Sequence, residues 1–546
     1  MRKVLISAFV LLLVAAVGAF GSGQQGAEEA EGPSEPEVEG PTIPEVSLEE
    51  CRGGPQNQYV SEERKAFLET KPYEGLTIDI LGNKGTITNT YSERYVEEWE
   101  NLTGADVNLV LVPLPNYHSK AFTDLLTGRG EFDAFHVPAW FYGDFFEGKR
   151  YLRPIGEYWN DPKMPYWCPA TIAPAIDQLL KWNGRYYGAP LDNDGQVLYY
   201  RDDILKNEDY QADFEEEYGY TYSVPPKNYQ EVLDIAEFYN GWDWDEDGEE
   251  DYGFTGHFKV GGQGMFHYMT WSAPYIVSPN NPYYWFDPDT MEPLVNSEGH
   301  LRALEDLQKL VDSGPRAMLA WTLGEAWDLF LRGDAVITFT WGDLGALAQD
   351  EDESRVRGKV GASILPGVTE TYNPIAGEWD EWDDPNQVGN NIGGSWHGTI
   401  SALASDEEAQ AAYDFFAYMA QADNNWWYSL RGWTGVDIGR SFTFLEEDGG
   451  EATLSDYTEQ GWSEHDIREL SKAYHDSFYA DRSFNLLRIP GANEYIRAVD
   501  VVISEVLSGK RDAEEALDNL VDRFNDITER HGRESQKQYY QEMLKK

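Results

Sequence analysis

Between Leu76 and Pro138 the hydrophobic period switches repeatedly between strand and helix, and this alternation restricts the fold more than any other feature of the sequence. Leu76-Thr77-Ile78-Asp79-Ile80-Leu81 alternates and stops at Gly82-Asn83, which predicts a strand and a turn. Thr90 followed by Glu93 has the capping-box pattern, and Tyr95, Trp99 and Leu102 then share one helical face that Gly104 ends. Val107 to Val112 reads as a second strand, Phe122, Leu125 and Leu126 lie on a second helix, and Phe132 to Val137 is a third strand closed by Pro138. Strand, helix, strand, helix, strand is the order of a parallel sheet with helical crossovers, so the fold class is α/β. Ligands of such sheets bind beyond the carboxyl ends of the strands, which puts Gly82, Asn83, Ala139 and Trp140 at the edge of a candidate site.

Farther along, Tyr218 to Tyr284 is dense in aromatics, Gly and Pro, and Gly333-Asp334 precedes a strand from Ala335 to Thr340. The carboxyl end is helical: Ile496, Val499, Ile503 and Val506 form one stripe, and Leu517, Leu520, Val521, Phe524 and Ile527 another, with Asp512 as its cap. No repeat of 20–50 residues is visible, which argues against a solenoid or propeller. Net charge decides the partner class: 42 Lys+Arg against 97 Asp+Glu give −55, which excludes nucleic acid and anionic membrane surfaces as partners. A disordered acidic chain would not hold 14% aromatics, so a sizeable core is expected. The acid excess fits a high-salt medium, where screening relieves self-repulsion. Two cysteines, Cys51 and Cys168, exclude a disulfide scaffold, and their pairing is left open. Nine scattered histidines show no zinc-site spacing.

Arg2-Lys3, the apolar run Val4 to Phe20 and the small residues Gly21-Ser22-Gly23 have the pattern of a secretory signal peptide over 1–23, the alternative being an uncleaved anchor. No lipobox cysteine stands at the junction, so the expected location is periplasmic or extracellular without a lipid anchor. Residues 24–72 read as an acidic, Pro/Gly-rich tether and lead-in.

Several segments, in order, resemble the family 1 extracellular solute-binding proteins, the sugar-capturing components of ABC importers related to maltose-binding protein. Gly130-Glu131-Phe132-Asp133-Ala134 matches that family's "G-x-x-D-hydrophobic" strand. Gly184-Arg185-Tyr186-Tyr187-Gly188-Ala189-Pro190 is similar to "GKxYGxP", and Leu198-Tyr199-Tyr200-Arg201-Asp202-Asp203 to "LYYNKDL". Pro225-Pro226-Lys227-Asn228-Tyr229 resembles "PPKTW", Phe330-Leu331-Arg332-Gly333-Asp334-Ala335 resembles "FxxGKA", and Leu365-Pro366-Gly367 resembles "PLPG". Gly393-Gly394 before Ile400-Ser401, and Ser508-Gly509-Lys510 before Glu515-Ala516-Leu517, complete the series. The chain departs from the family in its length, its acidic aromatic insertions and its missing lipobox. The resemblance implies a two-lobe periplasmic-binding-protein-like fold with hinge strands and a mostly helical C-terminal region. Lobe 1 would be 73–193 plus 341–425, and lobe 2 would be 194–340 plus 426–546. It also implies a monomeric receptor that binds a sugar between the lobes and delivers it to an ABC permease, with no chemistry of its own and no required cofactor.

A sugar presents polar edges and apolar C–H faces, so its site needs aromatic plates and planar polar groups. The candidates are Asn83, Trp140, Asp192, Asn193, Trp271, Trp341, Asp343, Trp396, Arg431 and Trp433, with Trp271, Trp396, Arg431 and Trp433 read as loop residues in Gly-rich contexts. The abundance of aromatics favours an oligosaccharide. Asp243, Asp245, Asp247, Glu249 and Asp251 around Gly248 have the D-x-D-x-D-G spacing of a calcium loop, although position 12 is Phe254 and not Glu, so a structural Ca2+ is expected there. The competing functions are a secreted glycoside hydrolase or lyase, an oligopeptide-type binding protein, and a carbohydrate-binding scaffold.

Overall fold

The computed structural model describes residues 61–85, 91–352, 354–431, 434–484 and 486–545; the expected signal peptide and most of the expected tether lie outside them. The three strands read from the sequence form as β1 (Thr77–Asn83), β2 (Asp106–Val112) and β3 (Ala134–Pro138), parallel to one another in the order β2-β1-β3. Helices α1 (Glu62–Glu69), α2 (Val96–Thr103) and α3 (Leu114–Thr127) accompany them. Gly104 stops α2 with φ 82°, a left-handed conformation that glycine takes without Cβ strain. The lead-in is thus not all tether: α1 packs, and its Arg64 is buried against Asp414.

β4 (Gly188–Asp192) is the last strand of this first sheet before the chain crosses to a second one. The second sheet holds β5 (Val197–Arg201), β6 (Tyr252–Phe254), β7 (Ala335–Thr340) and β8 (Val360–Ser363) in the order β8-β5-β7-β6. A hairpin of β9 (Val368–Asn373) and β10 (Glu378–Asn386) follows, and β11 (Trp396–Ser401) then pairs antiparallel with both β3 and β4. The two sheets organise the two lobes expected from the resemblance, with a correction to the boundary. The chain was placed back in lobe 1 from Trp341, yet β8 pairs with β5 in the second sheet, and the return comes only at Trp396. Edge pairing explains the delay, since β8 satisfies the free backbone groups of β5.

α4 (Tyr229–Tyr239) and α7 (Leu323–Arg332) pack on the second sheet, α5 (Gly264–Ile276) meets it through His267 and Trp271 on Phe339, and α6 (Glu298–Asp312) packs on α4 and α5. α8 (Asp406–Ala420) lies on β11 and β4, and its neighbour α9 (Ala422–Ser429) packs on α8, so the last crossing follows residue 429 and not 425. α10 (Glu464–Phe478) lies on β8 and β5. The C-terminal helices α11 (Ala492–Leu507), α12 (Ala513–His531) and α13 (Arg533–Met543) extend the second lobe, α11 and α12 packing on α5 and α6. They also touch the first lobe: Gly491 N–H donates to Asp144 (2.7 Å), and the His531 imidazole lies between Glu147 (3.0 Å) and Glu494 (3.4 Å).

The hydrogen bond to Glu147 raises the His531 pKa above its ordinary value against the opposing effect of burial. A raised histidine pKa stabilises the fold fully below the unfolded value and ceases to do so as pH rises through the folded one. His531→Gln is therefore expected to flatten the fall in stability above pH 6.5, by about 1 kcal/mol. Urea midpoints at pH 6 and pH 8 check this, and an unchanged pH difference would refute it.

Cys168 is disulfide-bonded; the chain's only other cysteine, Cys51, lies outside the described residues. No described helix is long and apolar enough to cross a membrane.

Candidate functional site

Where the lobes meet, four rings form a file. Trp396 begins β11, and Trp140 follows β3; their centroids are 6.4 Å apart. Phe266 of α5 lies 5.5 Å from Trp140 and 5.9 Å from Trp341, which follows β7. The file therefore runs from the first sheet to the second. Gly393 (φ 104°) and Gly394 (φ 72°) hold it from behind, because a Cβ on Gly393 would meet Trp341 Nε1 at 2.6 Å and one on Gly394 the Trp140 ring at 2.8 Å. Trp341 Nε1 donates to Ile392 O at 2.8 Å, which fixes that ring's plane.

Polar side chains surround this file. The crossing after β4 carries Asp192, Asn193, Asp194 and Gln196, all buried. Gln196 and Asn390 exchange hydrogen bonds: Gln196 N donates to Asn390 Oδ1 (2.8 Å), and Asn390 Nδ2 to Gln196 O (2.7 Å). Asp192 Oδ1 accepts from the amides of Asn193 (2.9 Å) and Asp437 (2.8 Å). Asp437 Oδ2 accepts from Gly342 N (3.0 Å) and the Tyr474 hydroxyl (2.7 Å). Loss of water pushes Asp343 up to about 6, and it holds Asp192, Asp194 and Asp437 well above the usual carboxylate range, each raised further by the neighbouring carboxylates. Asn83 Oδ1, Asp194 Oδ2, Gln196 Nε2 and Ser395 Oγ are buried and have no hydrogen-bond partner among the described residues. These are the groups available to a polar ligand.

Of the residues singled out from the sequence, Trp140, Trp341 and Trp396 are brought together, and Asp192, Asn193 and Asp343 gather at the crossing. Trp271 is not a loop residue: it sits in α5, fully buried, stacked on Tyr229 at 3.8 Å and 4° and on Phe339 at 5.8 Å. Its neighbours made the segment look loop-like, but the apolar face packs as core. Arg431 stacks 4.1 Å over Trp427 and donates to Trp427 O. Trp433 lies outside the described residues. Asp194, Phe266, Ser395 and Asp437 were missed; their convergence depends on tertiary contacts that no local spacing encodes.

In the acidic loop, Asp243, Asp245 and Asp247 place carboxylate oxygens within 4.8 Å of one another. Glu249 and Asp251 do not join them. Asp251 is buried at the loop's base, accepts from Trp244 N (2.9 Å), and is raised to about 6 by that burial.

A family model described as bacterial extracellular solute-binding protein matches residues 94–435. The chain belongs to this family. Solute-binding proteins of this kind capture a molecule and do not transform it, so the chain is not an enzyme. Solved solute-binding proteins share the two-lobe fold. One, from Agrobacterium radiobacter in complex with ribitol, has a TM-score of 0.63 at 18% identity and covers 83% of this chain and 99% of its own. Another, from Agrobacterium vitis with bound D-mannitol, has 0.60 at 17%, covering 84% and 99%. A maltose-bound protein of T. maritima has 0.58 at 17%, covering 83% and 100%. A probable ABC transporter-binding protein of Deinococcus radiodurans is 26% identical over 194 residues; the match spans 35% of this chain and 41% of that relative's length.

Proposed function

We propose that this solute-binding protein captures a carbohydrate, an oligosaccharide or a polyol, between its lobes and delivers it to an ABC permease. The observation that carries this reading is the file Trp396-Trp140-Phe266-Trp341 running from one sheet to the other beside unpartnered buried polar atoms. Rings supply stacking faces for C–H surfaces, and Gln196 Nε2 and Ser395 Oγ are free to meet hydroxyls. Relatives of this fold crystallised with ribitol, mannitol and maltose support the same class. Export by the amino-terminal signal pattern, a monomeric receptor and a permease partner complete the proposal. A calcium ion on Asp243, Asp245 and Asp247 would stiffen the exposed loop between α4 and β6.

A thermal-shift screen against polyols, mono- and oligosaccharides and peptides tests the reading. A cognate sugar at 100 times its Kd stabilises by about 2.7 kcal/mol, and it should be recovered intact. Trp396→Ala is expected to weaken that sugar's binding about tenfold, the scale of one lost stacking contact. A shift with peptides alone, or none with any carbohydrate, would overturn the reading.

A further inference from the structure

The chain passes between the sheets at three places: after β4 (193–196), before β11 (387–395), and between α9 and α10 (430–463). All three contribute to one buried cluster. Asp192 and Asp194 stand at the start of the first crossing, Ser395 N–H from the second faces the Asp194 carboxylate, and Asp437 comes from the third. Oxygens of Asp192, Asp194 and Asp437 lie within 4.8 Å of one another, and the three side chains are 3%, 6% and 3% exposed. Asp343 adds a fourth carboxylate to the field on each.

Elsewhere this chain compensates a buried carboxylate with a cation, as Arg64 does for Asp414. Here, among the described residues, none of the four aspartates forms an ion pair with lysine, arginine or histidine. The donors that reach them are backbone amides and the Tyr474 hydroxyl, none of which carries a positive charge.

Two further oxygens point to a ligand. Asp194 Oδ2 accepts no hydrogen bond among the described residues. Neither does Asn193 Oδ1, in a side chain only 1% exposed. Asn193 bridges two members of the cluster, its N–H donating to Asp192 Oδ1 (2.9 Å) and its Nδ2 to Asp437 O (3.3 Å). Three carboxylates and an amide oxygen form an all-oxygen donor set of the kind hard cations take. Calcium tolerates the irregular geometry that two separate chain segments impose, whereas magnesium demands near-octahedral ligands.

We propose that Asp192, Asp194, Asp437 and Asn193 bind a calcium ion at the junction of the three inter-lobe crossings. The ion would tie the first crossing to the third, with the second held through Ser395 N–H on Asp194, independently of the solute and of the exposed Asp243 loop.

The test uses the full mature chain, stripped of metal by chelation, with the exposed loop disabled by Asp243→Asn and Asp245→Asn. Titration with CaCl2 alone, by calorimetry and thermal unfolding, should show one ion bound per chain and a Tm rise of several degrees. Adding Asp192→Asn and Asp437→Asn should abolish both. Asparagine keeps the acceptor for the backbone amides, so the chelated Tm of this variant should be no lower than its parent's. Should that variant fail to fold, terbium-soaked crystals of the loop-disabled chain decide instead, by anomalous density at the cluster. No calcium response in the loop-disabled chain, an unchanged response after the cluster substitutions, or terbium density only at surface acids would each overturn the proposal. Because no sugar is used, its failure leaves the carbohydrate reading untouched.

Discussion

Arg64→Ala is expected to cost about 3–5 kcal/mol of stability, the cost of leaving a buried carboxylate without its cation. Asp414 of α8 is fully buried and receives four donors: Arg64 Nη1 at 2.5 Å, Arg64 Nη2 at 2.7 Å, Trp99 Nε1 at 2.9 Å and the Tyr73 hydroxyl at 3.2 Å. The guanidinium fork supplies two of these bonds and the only formal positive charge among them. Its removal also unfastens α1, since Arg64 Nη1 donates to Lys163 O at 2.8 Å as well. Urea unfolding monitored by far-UV circular dichroism reads the loss directly. A midpoint within experimental error of the parent's would show that α1 is not part of the cooperative fold. Arg64→Ala combined with Asp414→Asn should recover part of the loss, because the amide can be buried without a counter-charge.

Gly253→Ala should be nearly as damaging, at about 3 kcal/mol or more, by a different route. Gly253 lies in β6 where α4 crosses it so closely that an added Cβ would stand 1.7 Å from Ala236 O and 2.5 Å from its carbonyl carbon. Both are main-chain atoms of a helix, so no side-chain rotation relieves the overlap. Relief requires α4 to lift from the sheet, exposing Val232, Ile235 and Tyr239. A soluble variant with unchanged Tm would refute this reading of the α4–β6 contact.

Local order was legible wherever sequence neighbours determine it. The strand Ala335–Thr340 follows from Gly333-Asp334 and a run of apolar residues, and the helices at 492–531 follow from their caps and stripes. The alternation from Leu76 to Pro138 gave the parallel part of the first sheet, because βαβ units carry their own turn and period signals. What escaped was set by distant pairing. β11 joins β3 and β4 from more than 200 residues away, and nothing local distinguishes it from a strand of the second sheet. Trp271 was misread because glycines precede it, while its partners Tyr229 and Phe339 lie far off in the chain. Asp437 carried no signal at all, since an aspartate in a Gly-rich stretch reads as a surface acid until Asp192 is placed beside it.

The meeting of all three crossings at one small place has a kinematic consequence. Two bodies joined at a single compact joint lose their relative translations and keep only rotations. Displacement during such a rotation grows with distance from the joint. Trp341, which flanks it, would therefore move little, and a solute would find that part of its site already assembled. Residues farther out along each lobe travel the most, so selection among solutes of different length falls to the parts of the site that move.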